Sequence, residues 1–165
     1  MNWTMLWDSL PYLLWGAYPD GPIGGAALTV LLSLGSGILS ALLGLGLGIA
    51  LAMLQGPARV VLTSALAFLR AIPVLMLIFW TYFLLPIALG INVPGVLSVM
   101  AALSLIGGAY LAHAVFAGIT GIAAGQWAAG LSLGLARWGT LRHIVLPQSL
   151  RMMLPSFVNQ WVTLV

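Results

Sequence analysis

Two stretches of this chain, Gly21 to Ala58 and Ala71 to Ala136, contain no Asp, Glu, Lys or Arg. A water-soluble domain cannot be built on them. Globular chains carry about 25% charged residues, whereas this chain of 165 residues carries 4%. Lipid must cover what charge would otherwise hold in water. A spanning helix takes about 20 apolar residues, so each run is long enough for one span or more. Backbone groups in hydrocarbon must be paired within their own segment, which selects helices. The apolar residues run continuously instead of alternating at period two, which argues against a transmembrane β-barrel. The expected fold is all-α, a polytopic transmembrane helical bundle.

Breakers and small residues divide the chain. Met1 to Tyr18 places Trp3, Leu6, Trp7, Leu10, Leu13 and Leu14 at helical spacing and is rich in Trp and Tyr, as at a membrane interface. A short surface helix is expected there, ended by Pro19-Asp20-Gly21-Pro22. A first span is expected over about 26–54. Its Ser36, Ser40, Gly44, Gly48 and Ala52 recur every fourth residue and predict a face that another helix approaches closely. Val60 to Leu69 reads as a helix near the interface, closed by Arg70, with Pro73 opening the next helix. This placement keeps Arg70 out of the hydrocarbon, where a charge is costly. Further spans are expected over about 72–89, 96–118 and 144–165, with an uncharged turn at 90–95 and a partly polar loop over about 119–143. Ser104, Gly108 and Ala112 form a second row of small residues.

All five basic residues are arginines, and they cluster at boundaries that one side of the membrane would share. The turn between the second and third spans has none. The positive-inside rule then makes the arginines cytoplasmic and the N-terminus extracytoplasmic. Five scattered arginines make no basic face, so no nucleic-acid partner is expected. Membrane lipid is the expected surroundings. Cysteine is absent, and the start lacks the basic region of a cleaved signal peptide.

Enzymatic chemistry finds little support. The only acids, Asp8 and Asp20, lie in the N-terminal region, so no buried carboxylate pair is available for acid–base work. His113 and His143 stand apart from any acid or thiol, so no metal site is expected. Ser33, Ser36 and Ser40 lack a base. No glycine-rich loop with a following lysine is present, so no ATP binding by this chain and no cofactor are expected.

Gly125 to Pro147 differs from its surroundings. It carries Arg137 and Arg142 between apolar runs, with Leu131, Leu133, Leu135 and Leu141 for apolar contact. Gly134 lets the backbone turn or approach a partner closely. Such a segment suits a helix that sits in the groove of a cytoplasmic partner; a solvated loop helix packed on its own spans is the other reading. The pattern Ala128-Ala129-Gly130, three residues, Gly134, nine residues, Ile144-Val145-Leu146-Pro147 resembles the EAA loop of ABC-importer permeases. Phe68-Leu69-Arg70-Ala71-Ile72-Pro73, the segment Ser104 to Ala112, Arg137-Trp138, Leu146 to Arg151, Leu154-Pro155 and Asn159-Gln160 resemble the polar amino-acid branch (histidine, glutamine, glutamate/aspartate type). Arg70-x-Ile72-Pro73 and the missing loop glutamate look most like the glutamate/aspartate permeases.

The resemblance implies a permease of MetI-like fold in the bacterial inner membrane, multi-pass. Residues 1–22 would be an extracytoplasmic interfacial segment and 23–165 a transmembrane permease domain, with the family's fifth span missing. The implied partners are a second permease subunit, as homo- or heterodimer, two cytoplasmic ATPase subunits that hydrolyse ATP, and an extracytoplasmic substrate-binding protein. ATPase coupling would fall to Gln126, Ala128, Ala129, Gly130, Leu133, Gly134, Leu135 and Arg137. Ala128 stands where many relatives carry glutamate, His113 where the branch often has an acid, and Phe116 where it has an arginine. The substrate path is expected at Tyr110, Asn159 and Gln160, polar groups that need a cavity or a neighbour, although hydrogen bonds between helices satisfy such groups equally well. A degenerate or truncated half that only supports an intact partner is the alternative.

Overall fold

The computed structural model describes residues 3–90 and 93–164. Met1, Asn2, Ile91, Asn92 and Val165 lie outside the described residues, and with them parts of the expected surface helix, the 90–95 turn and the last apolar stretch. The described chain is helical apart from turns and one isolated antiparallel bridge between Gly16 and Ile23.

The helices in chain order are α1 (Trp3–Trp15), α2 (Gly25–Met53), α3 (Gly56–Ala71), α4 (Val74–Phe79), α5 (Leu85–Leu89), α6 (Gly95–Thr120), α7 (Ala124–Ser132), α8 (Arg137–Thr140) and α9 (Leu146–Leu164). Two of them, α2 and α6, are each long and apolar enough to cross a membrane. At 1.5 Å per residue α2 is about 43 Å long.

The α2–α6 pair is the spine of the fold. Ser33, Ser36, Ser40, Gly44 and Gly48 of α2 are buried, as are Ser104, Gly107, Gly108, Ala112 and Val115 of α6. Between helices in lipid there is no hydrophobic drive, so association rests on close packing and hydrogen bonds. Both occur here: Ser40 Oγ donates across the seam toward the Leu103 and Ser104 carbonyls at 3.5 and 3.4 Å. The pairing also fixes direction. Gly35 faces Met100, Gly44 faces Leu111 and Gly48 faces Val115, so the numbers rise together and the helices are parallel.

Two parallel spans require the chain between them to return across the same thickness. That return is the α3–α5 segment, bent by 100° at Ile72-Pro73. The residue before a proline is pushed out of the helical region, and Ile72 is accordingly extended at ψ 127°. The bend sets where Arg70 packs. Its guanidinium carbon lies 4.9 Å from the ring centroid of Tyr110, and Tyr110 is about 15 Å from the C-terminal end of α6 at 1.5 Å per residue. Arg70 thus packs well inside the length of α6, not at its end.

Two five-residue π-turns, Trp80–Leu84 and Leu141–Val145, interrupt the helical ladders. Each ends shortly before a proline, Pro86 or Pro147. A proline has no N–H to give and crowds the carbonyl four residues back. The ladder takes up the missing bond by slipping one residue: Leu85 N–H reaches Trp80 O, and Leu146 N–H reaches Leu141 O. At the far end of the spine, Val115, Ile119, Leu141, Val145 and Met153 form a buried cluster. It ties α6 to α9 and to the segment that connects them.

Candidate functional site

The connecting segment projects from this cluster as a compact helix–turn–helix. Helix α7 ends at Ser132, and the next residues close a Schellman arrangement. Leu135 N–H donates to Gly130 O at 3.1 Å and Gly134 N–H to Leu131 O at 3.0 Å. This geometry needs a left-handed residue, which is Gly134 at φ +80°. A Cβ built on Gly134 would meet nothing within 4 Å. Within the chain, this glycine serves the turn.

Close contact falls instead to Gly130. It is buried, and a Cβ there would run into the Thr140 side chain and come within 3.0 Å of Ile144 Cδ1. Gly130 is where α7 presses on α8 and on the π-turn that leads into α9. Gln126 supports the same junction: Gln148 Nε2 donates to its Oε1 at 3.1 Å. Arg137 returns over the Trp127 ring at 6.0 Å, and Trp127 packs on the buried cluster. Thr140, Trp127 and Gln148 were missed by the sequence reading. Trp127 carried a signal as the one aromatic of the α7 segment, whereas Thr140 and Gln148 had none, since only the fold sets them beside Gly130 and Gln126.

The outer side of this unit is apolar and uncovered. Leu131, Leu133 and Trp138 are exposed by 52, 78 and 53%. Ala128 and Ala129 are exposed beside them, and Leu135 is half-buried. A groove of about 500 Å³ runs behind the unit, lined by Ala52, Ile119, Thr120, Trp127, Leu131 and Arg137 among others.

Tyr110, Asn159 and Gln160 come together in a second place. With Leu111, Ala114, Pro155 and Ser156 they line an open groove of about 410 Å³ along α6 and α9, in which Tyr110 and Asn159 are exposed. Gln160 also borders an apolar groove of about 260 Å³ with Ser40 and Trp161. The two histidines sit apart from the Tyr110 groove, each turned to its own helix: His113 Nδ1 is 3.2 Å from Ala109 O, and His143 Nδ1 is 2.9 Å from Gly139 O. Among the described residues no three His, Cys, Asp or Glu side chains gather as a metal site would need.

A family pattern described as binding-protein-dependent transport system inner membrane component matches residues 43–165. The chain is 33% identical to the probable amino-acid ABC transporter permease protein YckA of Bacillus subtilis (strain 168), covering 99% of this chain and 68% of that protein. It is 31% identical to the glutamine transport system permease protein GlnP of Escherichia coli (strain K12), covering 98% and 70%. Among solved structures, an amino acid ABC transporter crystallised with histidines superimposes with a TM-score of 0.78 at 24% identity, covering 99% of this chain and 72% of that one.

Proposed function

We propose a function from one premise: the chain belongs to the family of binding-protein-dependent transport system inner membrane components. It is a membrane-embedded permease subunit of an amino-acid ABC importer. In that family a permease works with a partner permease, with ATPases and with a binding protein. For this chain we assign the α7–α8 unit to ATPase docking, at Gln126, Ala128, Ala129, Gly130, Leu133, Gly134, Leu135 and Arg137. With no glutamate at Ala128, docking rests on apolar contact by Leu131, Leu133 and Trp138 and on charge from Arg137. The docking face is cytoplasmic and the N-terminus extracytoplasmic, as the arginine distribution argues. ATPase closure moves α7, Gly130 passes the displacement to the base of α9, and the helices rock as rigid bodies.

The observation that carries the reading is the open groove along α6 and α9, where Tyr110, Asn159 and Gln160 meet. Polar side chains on a membrane-embedded chain are costly unless they face partners or a water-filled path, and this groove gathers three of them. Glutamate or aspartate is the substrate we favour, on the resemblance of the Arg70-x-Ile72-Pro73 segment to that group of permeases. No observation favours a silent structural half. The test is substitution in the reconstituted complex. Asn159→Leu and Gln160→Leu are each expected to raise the half-saturating substrate concentration for uptake, roughly 5- to 100-fold if one substrate hydrogen bond is lost. Unchanged uptake kinetics in both variants would remove these residues from the path.

A further inference from the structure

We propose that Arg70, packed against Tyr110 at the edge of the α6–α9 groove, binds the carboxylate of the transported amino acid. The proposal rests on the importer reading above. Of the five arginines, Arg70 alone is not exposed. Its guanidinium lies over the ring of Tyr110 at 4.9 Å, and that ring lines the groove with Asn159 and Gln160. Its Nε is buried and has no hydrogen-bond partner.

A guanidinium in this position calls for an anion. A charge inside a membrane bundle is costly unless it is paired or faces a cavity. The aromatic face attracts the cation but leaves the in-plane N–H groups unbonded. Arg70 is next to last in α3, where the free carbonyls of the helix end also favour a cation. That explains how the residue is held in place between substrates. It does not supply the planar, bidentate partner that a guanidinium takes best, which is a carboxylate. The chain has only two acids, Asp8 and Asp20, and both precede α2. An amino acid in transit carries such a carboxylate into the groove that Tyr110 borders. The carboxylate has two possible sources, the α-carboxylate of any amino acid or the side-chain carboxylate of an acidic one.

The test is binding of radiolabelled L-glutamine and L-glutamate to the purified complex of permease and ATPases in nanodiscs. Arg70→Gln is expected to weaken binding roughly ten- to hundredfold, as for loss of charge-assisted hydrogen bonds. Arg70→Lys keeps the charge, loses the fork and recovers part of the affinity; it carries the test should Arg70→Gln fail to assemble. Arg59→Gln removes an equal charge at an exposed site and leaves affinity unchanged. Equal losses for both ligands identify the α-carboxylate, and a loss confined to glutamate identifies the side-chain carboxylate; either supports the proposal. Wild-type affinity for both ligands in Arg70→Gln or Arg70→Lys overturns it. So does an effect seen only as altered dependence on anionic phospholipid, which makes lipid phosphate the partner. A wild-type complex that binds and transports no amino acid instead overturns the importer reading itself.

Discussion

Gly48→Leu removes the folded subunit from the membrane, while Gly46→Leu, two residues away on the same helix, leaves it in place. The contrast comes from the seam between α2 and α6. A Cβ on Gly48 would lie 2.5 Å from Val115 Cβ and Cγ1 and 2.7 Å from Ala112 O. A carbonyl oxygen of the facing helix backbone cannot rotate aside as a side-chain tip can. A Cβ on Gly46 meets nothing within 4 Å, because the position is exposed on the outer face of α2. Overpacking a filled interface costs about 1–3 kcal/mol where side chains can shift. Here the backbones must part, and with them the Ser40 bonds to the Leu103 and Ser104 carbonyls. We expect Gly48→Leu to exceed that range and Gly46→Leu to stay within about 0.5 kcal/mol of wild type, as surface changes do. Thermal melting of the purified complex, read by size-exclusion recovery, measures both. Equal melting of the two variants contradicts the seam.

Gly134→Val separates ATP hydrolysis from transport, and Gly134→Asn does not. The position is open, so the added bulk collides with nothing. What fails is the backbone. A left-handed conformation costs an ordinary L-residue about 1–2 kcal/mol, and a β-branched side chain tolerates it least. Relief of that strain breaks the bonds from Gly134 and Leu135 to the α7 carbonyls. Leu133, Leu135 and Arg137 then leave the positions set by the turn. Asparagine accepts the left-handed region better than other non-glycine residues. In proteoliposomes we expect Gly134→Val to keep basal ATPase activity and to lose tenfold or more of its ATP-driven uptake. Gly134→Asn should keep most of both. Equal uptake by the two variants would separate the turn from coupling.

Much of the fold was legible because membrane folding leaves plain marks. Charge-free runs mark the two long apolar helices, α2 and α6, and small residues at every fourth position mark the seam that Gly44 and Gly48 make with α6. The gathering of Tyr110, Asn159 and Gln160 followed from the cost of placing polar groups in lipid. The packing of Arg70 on Tyr110 was not legible, for a physical reason. It depends on the 100° bend at Ile72-Pro73, and sequence marks a break there but not its angle. The two loop glycines were hard to tell apart for a similar reason. Gly134 has a local cause, its positive φ, whereas the contact of Gly130 with Thr140 exists only once α7 folds back on α8. The π-turns before Pro86 and Pro147 were marked by the prolines, but a proline alone also permits a kink or a helix end.

The central claim is that this chain is the moving membrane part of an ATP-driven amino-acid importer. It is tested most directly by uptake of labelled amino acids into liposomes that hold this chain with its ATPase and permease partners, the loaded binding protein being supplied on the opposite face from ATP. The account predicts uptake that requires ATP and this chain together. It is contradicted if uptake persists at the same rate when this chain is left out, or if the intact, ATP-hydrolysing complex moves no amino acid at all.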